Sequence, residues 1–200
     1  MKMRFISIAG GLLASMLGLQ AQVFEITPFY GYRFGGTIET CSGEDTDLED
    51  GPSYGVALDF APYDSDEIKM ELLWSRQDSS LDLEGGGGLD HLDILVDEFQ
   101  IGGVYENGRG RFRETITALV GATVFSPDQG EREARLSFGI GLGLKYFLMK
   151  NLALRADLRG YGTVVESEGA FISSGGTTVA YFSGSGFWQG EVSAGLTLAF

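Results

Sequence analysis

The sequence predicts an all-β fold, an eight-stranded antiparallel up-and-down barrel that follows a cleaved leader. Three observations predict it. Apolar and polar residues alternate with a period of two over most of the chain, connections of unequal length alternate along it, and composition favours strands. Of 200 residues, 31 are Gly, 24 are aromatic and only 4 are Pro. That balance suits strands and turns better than helices or disorder. The length is that of about one domain.

Residues 1–21 read as a signal peptide. Met1-Lys2-Met3-Arg4 is a short basic start, Phe5 to Leu19 is uncharged and mostly apolar, and Ala21 offers a small residue at the cleavage position. The apolar run is shorter than the roughly 20 residues a helical span needs. Residues 22–200 then form one barrel domain.

The period of two is the strand signature. Phe24, Ile26, Tyr30, Tyr32 and Phe34 alternate with Glu25, Thr27, Gly31 and Arg33. Tyr54, Val56, Leu58 and Phe60 form a second run, and Ile68, Met70, Leu72 and Trp74 a third. Ile94–Tyr105 and Phe112–Val124 are weaker in phase. Phe99, Ile101 and Tyr105 are assigned to the apolar face of the first and Ile116, Val120 and Val124 to that of the second. Leu136 to Tyr146 is the clearest run, with Gly139, Gly141 and Gly143 on its other face. Leu152 to Leu158 and Trp188 to Phe200 complete eight strands.

The expected connections are Gly35–Pro52, Pro62–Asp66, Asp78–Leu92, Glu106–Arg111, Ser126–Glu133, Leu148–Asn151 and Thr163–Gly186. Long and short alternate, as they do when loops crowd one end of a transmembrane barrel and tight turns the other. A soluble barrel alternates as well, but fills its interior with apolar side chains. Here the polar face is small and carries charges of both signs, while the apolar face is large with aromatics near run ends. A narrow polar lumen and two aromatic girdles follow, and closure leaves no edge strand unpaired in lipid.

The residues Phe24-Glu25-Ile26-Thr27-Pro28-Phe29-Tyr30-Gly31-Tyr32-Arg33, Pro52 to Asp59, Phe99 to Gly103 and Trp188 to Phe200 resemble the small outer-membrane β-barrel domains of Gram-negative bacteria, the OmpA/OmpX-like class. The resemblance implies the outer membrane as location, lipid and lipopolysaccharide as surroundings, and a monomer. The terminal Phe200 resembles the signal read by the barrel-assembly machinery. The same barrel serves anchors, channels, adhesins and lipid enzymes, so the class implies no single activity.

Chemistry is sparse. His91 is the only histidine, beside Asp90 and Asp93, with Ser79 and Ser80 nearby. It reads as a loop residue among acids, and no catalytic residues are assigned. A lipid A-modifying enzyme would need a His with a hydroxyl or carboxylate partner. Cys41 is the only cysteine, so no internal disulfide forms, and it reads as an unpaired surface thiol. The formal charge of −14 argues against nucleic acid as a partner. Glu39, Glu44, Asp45, Asp47, Glu49 and Asp50 make the first loop acidic. Hard divalent cations should associate with it weakly, without the spacing of a dedicated metal site. Gly85 to Gly88 is a loop tip without the Lys-Ser/Thr of a phosphate loop. No cofactor is expected.

The inward face carries basic Arg33, Lys69, Arg135, Lys145, Arg155 and Arg159 against acidic Glu25, Asp59, Glu71, Glu98, Asp157 and Glu191. An eight-stranded barrel has an interior just wide enough for side chains to fill, so this balance predicts a paired polar plug. Antiparallel register places Arg159 and Arg33 beside Glu191, which makes Glu191 the expected link across the closing seam. The expected role is a structural or surface-interacting barrel, with a channel of low conductance as the alternative.

Overall fold

The computed structural model describes residues 24–40, 45–61, 67–82, 91–127, 132–164, 170–174, 177–181 and 187–200. The leader, Cys41, Glu44, Pro62–Asp66, the tip at 85–88 and Asp90 lie outside the described residues, as do the side chains of Glu39, Asp45, Asp47 and His91.

Among the described residues twelve strands run in order: β1 Phe24–Phe34, β2 Thr37–Thr40, β3 Asp45–Asp47, β4 Gly51–Phe60, β5 Ile68–Asp82, β6 His91–Asn107, β7 Phe112–Pro127, β8 Glu133–Met149, β9 Leu152–Thr163, β10 Ala170–Ser174, β11 Thr177–Tyr181 and β12 Phe187–Ala199. Eight of them close a barrel in the order β1-β4-β5-β6-β7-β8-β9-β12, with β12 returning to β1. Every neighbouring pair is antiparallel. The seam is finished by Phe200 donating its N–H to the Phe24 carbonyl at 2.8 Å.

The alternation becomes two faces. Ile116, Val120, Leu136, Ile140, Leu142, Leu158, Val192 and Leu196 are exposed on the outside. Aromatic rings rim this aliphatic belt. Tyr32, Phe34, Tyr54 and Trp188 stand toward the long connections, and Tyr105, Phe112, Tyr146 and Phe200 toward the short ones. Gly162 lets two of these rings meet. The Phe138 and Trp188 rings lie over it, edge to face at 5.2 Å, where any Cβ would collide with both. A closed barrel with an apolar belt this continuous is built for lipid rather than water.

Three differences from the expected elements concern the ends of strands. β5 runs to Asp82 and β6 begins at His91, so both ends of Asp78–Leu92 are ladder, paired from Asp78 with Leu95 to Asp82 with His91. β6 also runs to Asn107, which puts Glu106 in the wall instead of a turn. Within the first and last connections, β2, β3, β10 and β11 build a separate four-stranded sheet in the order β10-β11-β2-β3. Strands of three to five residues are too short to show a period of two, which hides them from pattern reading. The alternation of connection lengths persists, narrowed, with 83–90 against 61–67 and 108–111.

Candidate functional site: a lumen filled in two tiers

The inward residues come from odd positions of β1, β4, β5, β7, β8, β9 and β12 and from even positions of β6, a consequence of pleat and register. Charge buried in a narrow, low-dielectric interior is tolerated when it is paired and hydrogen-bonded. In the turn-side tier every charged side chain is paired, although Asp59 Oδ1, Arg113 Nε and Arg159 Nε are buried without a hydrogen-bond partner among the described residues. The Lys69 ammonium donates to Glu25 at 2.6 Å and Glu106 at 3.0 Å. Lys145 donates to Glu25, Glu106 and Asp59 at 2.6, 2.9 and 3.2 Å. Arg155 reaches Asp59 at 2.9 Å, Glu71 at 2.8 Å and Asp157 at 2.8 Å. Arg159 donates to Glu71 at 2.8 Å, and Arg113 to Glu106 at 2.5 Å. One continuous network thus ties together β1, β4, β5, β6, β7, β8 and β9.

Glycine on β8 makes room for it. A Cβ at Gly143 would stand 2.4 Å from both the Asp157 carboxylate and the Thr115 hydroxyl. Above this tier sits an apolar waist of Phe29, Ala57, Leu73 and Leu119, joined by the ring of Tyr161.

The loop-side tier is built differently. Glu191 accepts two hydrogen bonds from the Arg33 guanidinium, at 3.1 and 2.9 Å, one from Ser75 at 3.1 Å and one from the Tyr161 hydroxyl at 3.1 Å. Arg33 also donates to Ser75 and lies over the Tyr161 ring at 4.7 Å. Glu98 accepts from Thr123 at 2.8 Å, Ser137 at 3.1 Å and Gln100 at 3.2 Å, all neutral donors.

Arg33 and Arg159, expected near Glu191, stand directly opposite it on its two sides, one residue from the register expected from the strand ends. The expected pair of flanking guanidinium groups is corrected. The Arg159 side chain turns to Glu71 on the far wall, and the Tyr161 hydroxyl takes the second Glu191 oxygen. Glu71 already faces Arg155, and two cations on that carboxylate offset its burial better than one. Arg135, expected in the plug, stands half-buried at the loop-side mouth and pairs with Glu133 on its own strand. Of the other expected lumen residues, Glu25, Asp59, Lys69, Lys145 and Arg155 meet in the turn-side tier with Glu71, Asp157 and Arg159, and Arg33 meets Glu191 above the waist.

Pattern reading missed Glu106, Arg113 and Tyr161. Each keeps the parity of its strand: Glu106 lies one residue past the expected Ile94–Tyr105 run, Arg113 lies inside Phe112–Val124, and Tyr161 falls between Leu158 and the connection that begins at Thr163, so carrying the alternation through each whole strand would have found them. Ser79 and Ser80, weighed as nucleophiles, donate to Glu49, the former to its carbonyl at 2.6 Å and the latter to its carboxylate. Among the described residues no cluster of three or more His, Cys, Asp or Glu side chains has the arrangement of a metal site.

No protein-family model matches this chain, and no curated protein matches it. Solved structures do. Neisserial surface protein A is similar over 90% of this chain and 100% of its own, with a TM-score of 0.57 at 13% identity. The fold is that of the small outer-membrane β-barrels. The outer membrane protease OmpT from Escherichia coli is similar over 90% of this chain and 97% of its own, with a TM-score of 0.50 at 8% identity. The N-terminal barrel domain of Pseudomonas aeruginosa OprF covers 89% of this chain at 16% identity, with a TM-score of 0.48. An outer-membrane barrel places its belt in lipid, and a groove of about 430 Å³ in that belt, lined by Val56, Leu58, Leu72, Trp74, Phe99 and Ile101, belongs to the same lipid-facing surface.

Proposed function

We propose that this chain is an integral outer-membrane barrel whose role is structural or surface-interactive, with its lumen closed by side chains. The observation that carries this reading is the turn-side network. Five cations and five carboxylates from seven strands interlock there, and Lys69, Lys145 and Arg155 each hold at least two carboxylates. Moving one member strands its partners in a low-dielectric interior, so the network holds the wall rigid and leaves no aqueous path. Activity then resides at the loop-side end, where Glu49 and Asp50 of the first connection and Asp78 and Asp93 on the projecting ends of β5 and β6 form an acidic surface suited to divalent cations bridging lipopolysaccharide phosphates or to basic partners.

The long connections face outward and 61–67, 108–111 and 150–151 face the periplasm. A tag placed within Pro62–Asp66 is expected to label only after the outer membrane is permeabilised, and labelling on intact cells would reverse the orientation. Single-channel recording of the purified barrel in planar bilayers tests the closed lumen. A flat baseline is the expected result, and steady unitary currents would favour the channel reading instead.

A further inference from the structure

The loop-side mouth carries a second closure, unrelated in chemistry to the plug. Ile94 and Val96 on β6, Phe125 on β7 and Phe187 on β12 all point inward and are at most 2% exposed. The Phe125 and Phe187 rings meet edge to face at 5.5 Å. One further buried apolar side chain, Leu48 at 2% exposure, comes from the connection between β3 and β4 and not from the wall.

The backbone around Leu48 is tied down on both sides. Its N–H donates to the Gly36 carbonyl at 2.8 Å, and the Glu49 N–H donates to the Ser80 carbonyl at 3.0 Å. The Glu49 carbonyl accepts from Ser79 at 2.6 Å and from Gln77 at 3.3 Å, and the Glu49 carboxylate accepts from Ser80. Asp50 accepts the Gly35 N–H at 2.9 Å. Gly36, at φ +108°, leaves the space in which the Phe187 ring lies, where a Cβ would stand 2.5 Å from it.

We infer that Leu48–Asp50 is a strap that seals the loop-side tier, with Leu48 as the stopper and Glu49 as the latch onto β5. Leu48 is buried, and the backbone at Leu48–Asp50 is held by hydrogen bonds to Gly35, Gly36 and β5 that can open without unfolding the barrel. The apolar cap excludes water from the polar groups below it while the strap is down. Lifting the strap exposes Glu98, Thr123 and Thr163 to the outside and leaves the turn-side network intact. The seal is thus a lid over the upper lumen, separate from the plug.

Thiol accessibility in the full-length barrel, refolded in lipid with Cys41→Ser, tests this. Thr163→Cys reports the upper tier, since the Thr163 hydroxyl contacts Thr123 at 2.7 Å and is 1% exposed. Thr115→Cys, at 2% exposure, reports the lower tier. With the strap intact both thiols should react slowly with a small maleimide. Adding Glu49→Ala or Leu48→Ser should speed reaction at Thr163→Cys by about tenfold or more, in line with the loss of a charged hydrogen bond or of stopper burial. The rate at Thr115→Cys should not change. Three results would each overturn the lid: fast reaction at Thr163→Cys with the strap intact, no acceleration in either strap variant, or equal acceleration at both sites, which is general loosening.

Discussion

The two ends of the lumen solve one problem by opposite means. The turn-side tier is closed by charge, with five cations and five carboxylates sharing partners across seven strands. Among the described residues the loop-side tier has one fully buried cation, Arg33, bonded to Glu191, while Glu98 accepts from neutral donors, and an apolar cap with a strap closes it. Shared charge is costly to break anywhere, because each removal strands several partners. A strap held by local hydrogen bonds opens at small cost. The same barrel is therefore rigid at one end and openable at the other.

The contrast is broken most directly at Arg155. Arg155→Met leaves Asp59, Glu71 and Asp157 short of a cation in a buried network, and should cost about 3–5 kcal/mol in urea unfolding of the lipid-embedded barrel. A loss below that of any loop substitution would show that the network does not hold the wall. Glu191→Gln comes next. It keeps the shape of the side chain but leaves Arg33 buried without its carboxylate, and should cost about 2–3 kcal/mol by the same measurement. Glu44→Gln in the acidic first loop should cost nearly nothing, and equal midpoints for the two would remove Glu191 from the seam's support.

Gly143→Val sharpens the packing side of the comparison. Its branched side chain would intrude on Asp157 and Thr115, with a cost of about 1–3 kcal/mol. Gly103→Val, on the outer face where nothing lies within 4 Å of a Cβ, should be close to neutral. Deleting Phe200 should have only a small effect on the finished barrel, about 1 kcal/mol for the lost bond to the Phe24 carbonyl. Its larger expected effect is on assembly, read as the fraction of chain reaching the heat-modifiable folded form in cells. Undiminished assembly would remove Phe200 from the assembly signal.

The sequence by itself determined the barrel, because pleat geometry turns parity into sidedness. Once Leu136, Phe138 and Ile140 point out, Arg135, Ser137 and Gly139 must point in. Register across the seam was legible to within one residue, since antiparallel pairing needs only one anchor and a constant index sum, and an anchor taken at the strand ends falls one position off. The partner of Arg159 was not. A guanidinium on a long side chain reaches across a narrow lumen as readily as along the wall, and the choice of Glu71 over Glu191 depends on how all strands are staggered around the barrel. The mouth was the least legible region. Ile94, Val96, Phe125 and Phe187 are apolar residues that face inward, against the polar-inside rule, so they blurred the alternation that would have located them. Leu48 lies in an acidic loop with no period at all. Only closure of the barrel brings the ends of β6, β7 and β12 and that loop to one rim, where these residues, which no local pattern connects, are buried.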